Sequence, residues 1–347
     1  MSGDDEILFE VRGQAGIITL NRQKALNAVT LNMVRQMTAH LTAWACDTKV
    51  KRVIIQAAPG RAFSAGGDIR AIYDWHRKGD PNLLRFYWEE YRLNRMIKRF
   101  PKPYIALIDG IVMGGGVGVS FHGSHRLIGD KALFAMPEVG IGFFPDVGGT
   151  YFLPRCSGEV GLYLALTGAR IGASDMMWAG LGTHHLPTDS FAGLVDELAI
   201  ADDLEKVLSE WAMPPHSESQ LEDVSDQINE VFCANEMIDI IAVLVGSKTE
   251  FARKTAEMLA TKSPLSLAVT FAQIRAGQDL DFEAAMALEY RLVSRFVQGP
   301  DLYEGIRAVV IDKDGSPQWQ PATLGEVTPG QVERYFAPLD QELEFDA

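Results

Sequence analysis

Apolar residues in the first half of the chain fall into short runs separated by polar, glycine-containing turns. Ile7 to Val11 and Ile17 to Leu20 flank Gly13-Gln14-Ala15-Gly16, which predicts a β-hairpin. Val34, Met37, Leu41 and Trp44 recur at intervals of 3, 4 and 3, one face of a helix. Val53-Ile54-Ile55 and Tyr104-Ile105-Ala106-Leu107-Ile108 have the length and branching of buried strands. Leu127-Ile128 and Leu133-Phe134-Ala135 bracket a turn at Gly129-Asp130. Strands alternating with helical patterns predict α/β layers.

The strand pattern stops near Thr188. Asp223–Phe232, Glu236–Leu244, Glu250–Thr261 and Phe282–Val297 carry helical periodicity. Ser263-Pro264 sets a capping serine before a first-turn proline, so another helix is expected to start there. Met213-Pro214-Pro215-His216-Ser217-Glu218-Ser219 has the composition of a linker. It divides the chain into an α/β core at 1–212 and a mainly helical region at 213–347. The acidic tail after Pro321 reads as loosely packed.

Composition narrows the function classes. The 347 residues are 47% hydrophobic and 22% charged, as in an ordinary globular enzyme. Forty-six acidic residues against 32 basic ones leave a net charge of −14, which disfavours nucleic acid and anionic lipid as partners. One local site for an anionic small molecule remains compatible with that balance. The chain has no apolar run of about 18 residues, so no membrane span is expected. Met1-Ser2-Gly3-Asp4-Asp5-Glu6 lacks the basic and apolar regions of a targeting peptide. A cytoplasmic protein, or a processed organellar matrix enzyme, is expected. Cys46, Cys156 and Cys233 are odd in number and far apart, which predicts a reducing compartment, no disulfide and no cysteine-held zinc.

Two glycine-rich turns stand out: Phe63-Ser64-Ala65-Gly66-Gly67-Asp68 and Met113-Gly114-Gly115-Gly116-Val117-Gly118. Each follows a predicted strand and enters a helical pattern, where backbone N–H groups can approach an anion or a polarised oxygen. Two such turns can aim two donors at one oxygen, although each alone is equally compatible with a tight turn. Neither has the spacing of a dinucleotide or P-loop motif. Further on, Glu138 and Asp146 lie eight positions apart in an otherwise apolar, glycine-punctuated stretch. If buried, they would have raised pKa values suited to general acid–base work; if they cap helices, they are solvated. In Phe86-Tyr87-Trp88-Glu89-Glu90-Tyr91, Phe86 shares a helix face with Glu90, so one carboxylate lies near aromatic surface. His184-His185 lacks metal-binding spacing and no serine sits in a hydrolase elbow.

These motifs together resemble the crotonase (enoyl-CoA hydratase/isomerase) superfamily over nearly the whole chain. Asn21-Arg22-Gln23-Lys24-Ala25-Leu26-Asn27-Ala28 is similar to its CoA-adenine loop, and the two glycine turns resemble those holding the thioester oxygen. The agreement is closer with the 3-hydroxyisobutyryl-CoA hydrolase branch. It runs through Glu89-Glu90-Tyr91-Arg92-Leu93-Asn94, Phe134-Ala135-Met136-Pro137-Glu138 and Phe144-Pro145-Asp146-Val147-Gly148-Gly149. It continues through Glu289-Tyr290-Arg291-Leu292 and Glu304-Gly305-Ile306-Arg307. Hydratases carry a first catalytic glutamate just after the glycine triplet, where this chain has Gly118, and a glycine where it has Asp146.

The resemblance implies an α/β fold, a crotonase-like ββα superhelix with a C-terminal helical region, part of which covers the active site. It implies oxyanion donors at Gly67 and Gly115, catalysis by Glu138 with Asp146, and substrate contacts from Glu90, Gly115, Glu138 and Asp146. Lys24, Ala25 and Leu26 would bind CoA. Glu138 is left open as nucleophile or general base, and Asp146 as orienting or protonating group. No metal or other cofactor is implied, CoA being part of the substrate. The implied partner is an acyl-CoA, as in valine catabolism. Relatives often form trimers, while the extra helical region is placed to cover the same surface, so homo-oligomer formation stays open. A hydratase or isomerase and a noncatalytic acyl-CoA binder are the alternatives to a thioester hydrolase.

Overall fold

The computed structural model describes residues 5–345. It comprises two compact units, one formed by residues up to Asp68, 92–134 and 170–222, the other by 69–91, 135–169 and 223 onwards.

The first unit carries the strands β1 (Ile7–Arg12), β2 (Ala15–Leu20), β3 (Arg52–Ala57), β4 (Ala62–Ser64), β5 (Tyr104–Ile108), β6 (Ile111–Met113), β7 (His125–Ile128), β8 (Leu133–Ala135), β9 (Ile171–Gly172) and β10 (His184–His185). They form a six-stranded sheet in the order β1-β2-β3-β5-β7-β10 and a four-stranded sheet in the order β4-β6-β8-β9. The hairpin expected at the start is present: β1 and β2 are antiparallel, and Gly13 takes φ +55 in the turn. Gly16 already lies in β2, where a Cβ would meet the Trp44 ring at 2.6 Å. The pairings β2–β3, β3–β5, β5–β7 and β7–β10 are parallel, and the inner strands are buried on both faces, as parallel sheets require. Ile17, Ile54, Ile105, Leu107 and Leu127 from this sheet pack with Leu194, Leu198 and Leu208 from helices. The Leu31–Cys46 helix buries Val34, Met37, Leu41 and Trp44, the face read from the spacing, and the Thr30 side chain caps it. Met213–Ser219 runs without regular structure and is tied within this unit, Met213 N donating to His185 O and Ser219 Oγ to Asp175.

The second unit is dominated by helices, including Ser225–Phe232, Met237–Gly246, Glu250–Leu259, Pro264–Gly277, Phe282–Phe296 and Asp301–Ile306. Ser263 caps the helix it was expected to start, accepting from Ser266 N, and its hydroxyl also donates to Asp301 at 2.6 Å. The tail departs from expectation. Pro329–Phe336 forms a further helix behind a Thr328–Gln331 capping box, with the Tyr335 ring 4.6 Å from Phe296. Leu343 is buried, and Glu342 pairs with Arg291 at 2.9 Å. Acidic composition concealed the half-buried stripe of Val332, Tyr335 and Phe336, which has helical spacing. Among the described residues no helix is long and apolar enough to cross a membrane.

Candidate active site

In the first unit, parallel pairing of β4 with β6 sets the two glycine turns side by side. Their approach depends on Gly116, where a Cβ would lie 2.4 Å from the Ser64 carbonyl oxygen. Val29 N donates to Gly66 O and Asp68 N to Val29 O, a pairing that draws on neither hydrogen-bonding group of Gly67. Gly115 opens a short helix after Gly114, and the first N–H groups of a helix have no acceptor within it. The turns thus carry amides suited to a polarised oxygen.

The Asn21–Ala28 loop is fastened to the first of these turns. Asn27 is fully buried, and its amide donates to the carbonyls of Ala62 and Phe63 at 3.0 Å while accepting from Arg22 N at 2.7 Å. Ser64 Oγ returns a bond to Asn27 O at 2.8 Å, which gives that serine a structural role. Leu26 and Asn27 both take positive φ, so the loop turns sharply and leaves Lys24 exposed with Ala25 and Leu26 half-buried. That exposure fits a loop which meets a ligand from outside.

The second unit gathers the carboxylates. Glu90, Glu138, Asp146 and Glu289 are all buried. Glu90 lies on the Asn82–Lys98 helix one turn from buried Phe86 and is itself buried, whereas Glu89 is only half-buried, so Glu90 is the residue on the aromatic face. Glu138 begins the 3-10 turn Glu138–Ile141, and Asp146 begins a reverse turn closed by Gly149 N donating to Asp146 O. Neither is a solvated helix cap; Gly148 is the N-cap of the short Gly149–Phe152 helix. Tyr91 donates its phenolic proton to Asp146 Oδ2 at 2.9 Å.

Burial sets the electrostatics of this cluster. It pushes Glu138 well above the ordinary carboxylate range, and the nearby charges of Asp146 and Glu289 add to that. Glu90 is raised for the same reasons, burial first and then Asp146 and Glu289. Asp146 is pushed up to about 7 by burial, against hydrogen bonds from Tyr91 and its own backbone. Glu138 Oε2 and Glu90 Oε1 are buried acceptors without a hydrogen-bond partner among the described residues. Buried carboxyls with raised pKa values are the groups that proton-transfer chemistry needs.

The turn at Glu138 is fixed by backbone contact. Gly142, at φ +71, closes it, and a Cβ there would lie 2.3 Å from Asp301 O. Gly305 meets it from the Asp301–Ile306 helix, where a Cβ would lie 2.3 Å from Ile141 O. Around these groups, the Phe143 ring lies 5.7 Å from Tyr87 and Phe144 stacks on Phe296 at 5.2 Å. Trp88, on the same helix as Glu90, is 39% exposed.

The sequence left Glu289 without a role, although a signal was present: it stands in the apolar stripe of Ala285, Leu292, Val293 and Phe296. Its carboxylate accepts from Gly148 N at 2.8 Å and Thr150 N at 2.9 Å. His185 braces the fold, its ring bonding Met213 O and Asp130. Among the described residues no group of three His, Cys, Asp or Glu side chains is placed to hold a metal ion.

A model of the enoyl-CoA hydratase/isomerase family matches residues 15–336. The mitochondrial 3-hydroxyisobutyryl-CoA hydrolase of Danio rerio is 44% identical over 345 residues, covering 97% of this chain and 90% of the relative. The enzyme of the same name from Homo sapiens is 43% identical over 344 residues, covering 96% and 89%. A solved structure described as a carnitinyl-CoA dehydratase from Mycobacterium thermoresistibile superposes with a TM-score of 0.94 at 42% identity, covering 99% of both chains.

Proposed function

The chain belongs to the enoyl-CoA hydratase/isomerase family, and on that premise we propose that it hydrolyses 3-hydroxyisobutyryl-CoA to 3-hydroxyisobutyrate and CoA. Its fold is the crotonase α/β fold with a helical C-terminal region. The observation that carries the proposal is the pair of buried carboxyl groups, Glu138 and Asp146, in a chain with Gly118 where hydratases have a first glutamate. In this reading the amides of Gly67 and Gly115 bind the thioester oxygen, donors worth about 2.7–4 kcal/mol each in comparable sites. Glu138, as general base, takes a proton from water as its oxygen bonds the acyl carbon. The C–S bond then breaks, and Asp146 hands its proton to the departing thiolate. If Glu138 attacks directly, a mixed anhydride precedes the same products. Glu90, with an idle oxygen, accepts the acyl hydroxyl, and Lys24, Ala25 and Leu26 meet the CoA moiety. No other cofactor enters these steps. The compartment that suits it is cytoplasm or an organellar matrix, the relatives above being named mitochondrial.

A thiol-release assay over a panel of acyl-CoAs, with and without a 3-hydroxyl, tests the proposal. Turnover of 3-hydroxyisobutyryl-CoA with negligible hydration of crotonyl-CoA is expected. Hydration without thiol release would establish instead the second reading, a hydratase or dehydratase, which the carnitinyl-CoA dehydratase structure favours. Binding of acyl-CoA without either reaction would mean a noncatalytic relative.

A further inference from the structure

Asp146 sits on a turn that its own sequence does not favour. The next residue, Val147, takes φ +49, a left-handed conformation that is costly for a β-branched side chain, and Gly148 follows at φ +91. Such a turn persists only where its surroundings over-determine it. Two helices do so here. Glu289, from Phe282–Phe296, binds the amides of Gly148 and Thr150 with its two carboxylate oxygens. Gln273, from Pro264–Gly277, donates to Pro145 O at 2.7 Å and Thr150 Oγ1 at 2.8 Å. The turn is gripped on both sides of Asp146.

We infer that Glu289 is a positioning residue for the proposed hydrolysis: it holds the strained Asp146–Val147–Gly148 turn so that Asp146 keeps its bond to Tyr91 and its place in proton transfer. The inference rests on the hydrolase reading for its kinetic consequence, but not for its structural one. Glu289 is fully buried, and burial pushes its carboxyl up to about 8, with the charge of Asp146 adding to that and the hydrogen bonds from Gly148 and Thr150 opposing it. It therefore acts on Asp146 through its hold on the turn. The other titratable groups facing Asp146 are Tyr87, Glu90 and Tyr91 on Asn82–Lys98 and Glu138 on its turn, while Pro264–Gly277 contributes the neutral Gln273.

Two substitutions separate grip from charge. Glu289→Gln keeps the shape and one accepting oxygen, so kcat should fall only several-fold and the alkaline limb of the pH profile, set by ionisation of Asp146, should stay in place. Glu289→Ala releases the turn, so kcat should fall by about 10²-fold with KM little changed. A merely structural brace predicts lower stability with wild-type kcat per folded molecule in Glu289→Ala, and that result would overturn the inference. If Glu289→Ala fails to fold, Glu289→Asp, which keeps both acceptors but draws them back by one methylene, decides alone: wild-type kcat per folded molecule refutes the inference; a fall of about tenfold with KM unchanged supports it. Should wild-type protein release no CoA from 3-hydroxyisobutyryl-CoA, the hydrolase reading falls separately. The 13C shift of labelled Asp146, assigned with Asp146→Asn, then reports without turnover whether Glu289→Ala alters the carboxyl's surroundings, and an unchanged shift refutes the structural half of the inference.

Discussion

Replacing Asp146 by asparagine should make the protein slower and, at alkaline pH, more stable. Burial raises the carboxyl from an ordinary 3.8 to about 7. The folded state therefore binds the proton more tightly than the unfolded chain, so this contribution to stability is fully present below about pH 4 and is lost by about pH 8. At about 1.4 kcal/mol per pH unit, ionised Asp146 costs the wild-type fold up to about 4 kcal/mol. Asparagine is neutral and still accepts from Tyr91, but its buried NH2 introduces donors that cost about 1–3 kcal/mol if unpaired. The balance is a gain of about 1–3 kcal/mol at pH 8 and a loss of similar size at pH 4. Thiol release should meanwhile fall by about 10²–10⁴-fold. Urea denaturation of both proteins at the two pH values, beside the thiol assay, checks both halves. Asp146→Asn with wild-type turnover, or with lower stability at both pH values, would refute the reasoning.

Glu138→Gln should remain folded, as judged by circular dichroism, and lose nearly all thiol release, since the amide keeps the shape but neither basicity nor nucleophilicity. Gly305→Ala sets a Cβ 2.3 Å from Ile141 O and should cost about 1–3 kcal/mol in denaturant titration. Asn27→Ala strands the carbonyls of Ala62 and Phe63 and should destabilise by about 1–3 kcal/mol while raising KM for acyl-CoA, measured by initial rates.

Local pattern exposed much of this architecture. The hairpin, the strand at Tyr104–Ile108, the capped start at Ser263 and the Leu31–Cys46 face all follow from spacing and capping chemistry that act over a few residues. The same local physics singled out Glu138 and Asp146 as carboxylates in apolar stretches. Whether they were buried acids or solvated caps depended on tertiary packing that no window of sequence contains. The Tyr91–Asp146 bond joins positions 55 apart, and the Glu289–Gly148 bond positions 141 apart. Glu304-Gly305-Ile306 was recognisable as a motif, but the reason for its glycine, backbone contact with Ile141, became visible only in three dimensions. The helix of the tail is hidden in the sequence because its acidic charge is more conspicuous than its periodicity.

The gathering of buried acids also bears on how the reaction ends. The acyl end of the thioester is uncharged, but hydrolysis turns it into a carboxylate. In the proposed mechanism that new anion is born beside groups which resist carrying charge of the same sign. Asp146 is ionised once it has given up its proton, and two unit charges 4 Å apart in surroundings of effective dielectric about 20 repel by about 4 kcal/mol. The product is thus expelled by the residues that formed it, and free acid in solution is a poor ligand for the emptied site. In the proposed mechanism, electrostatic repulsion of this kind speeds product release and weakens product inhibition, while the equilibrium of the hydrolysis is unchanged.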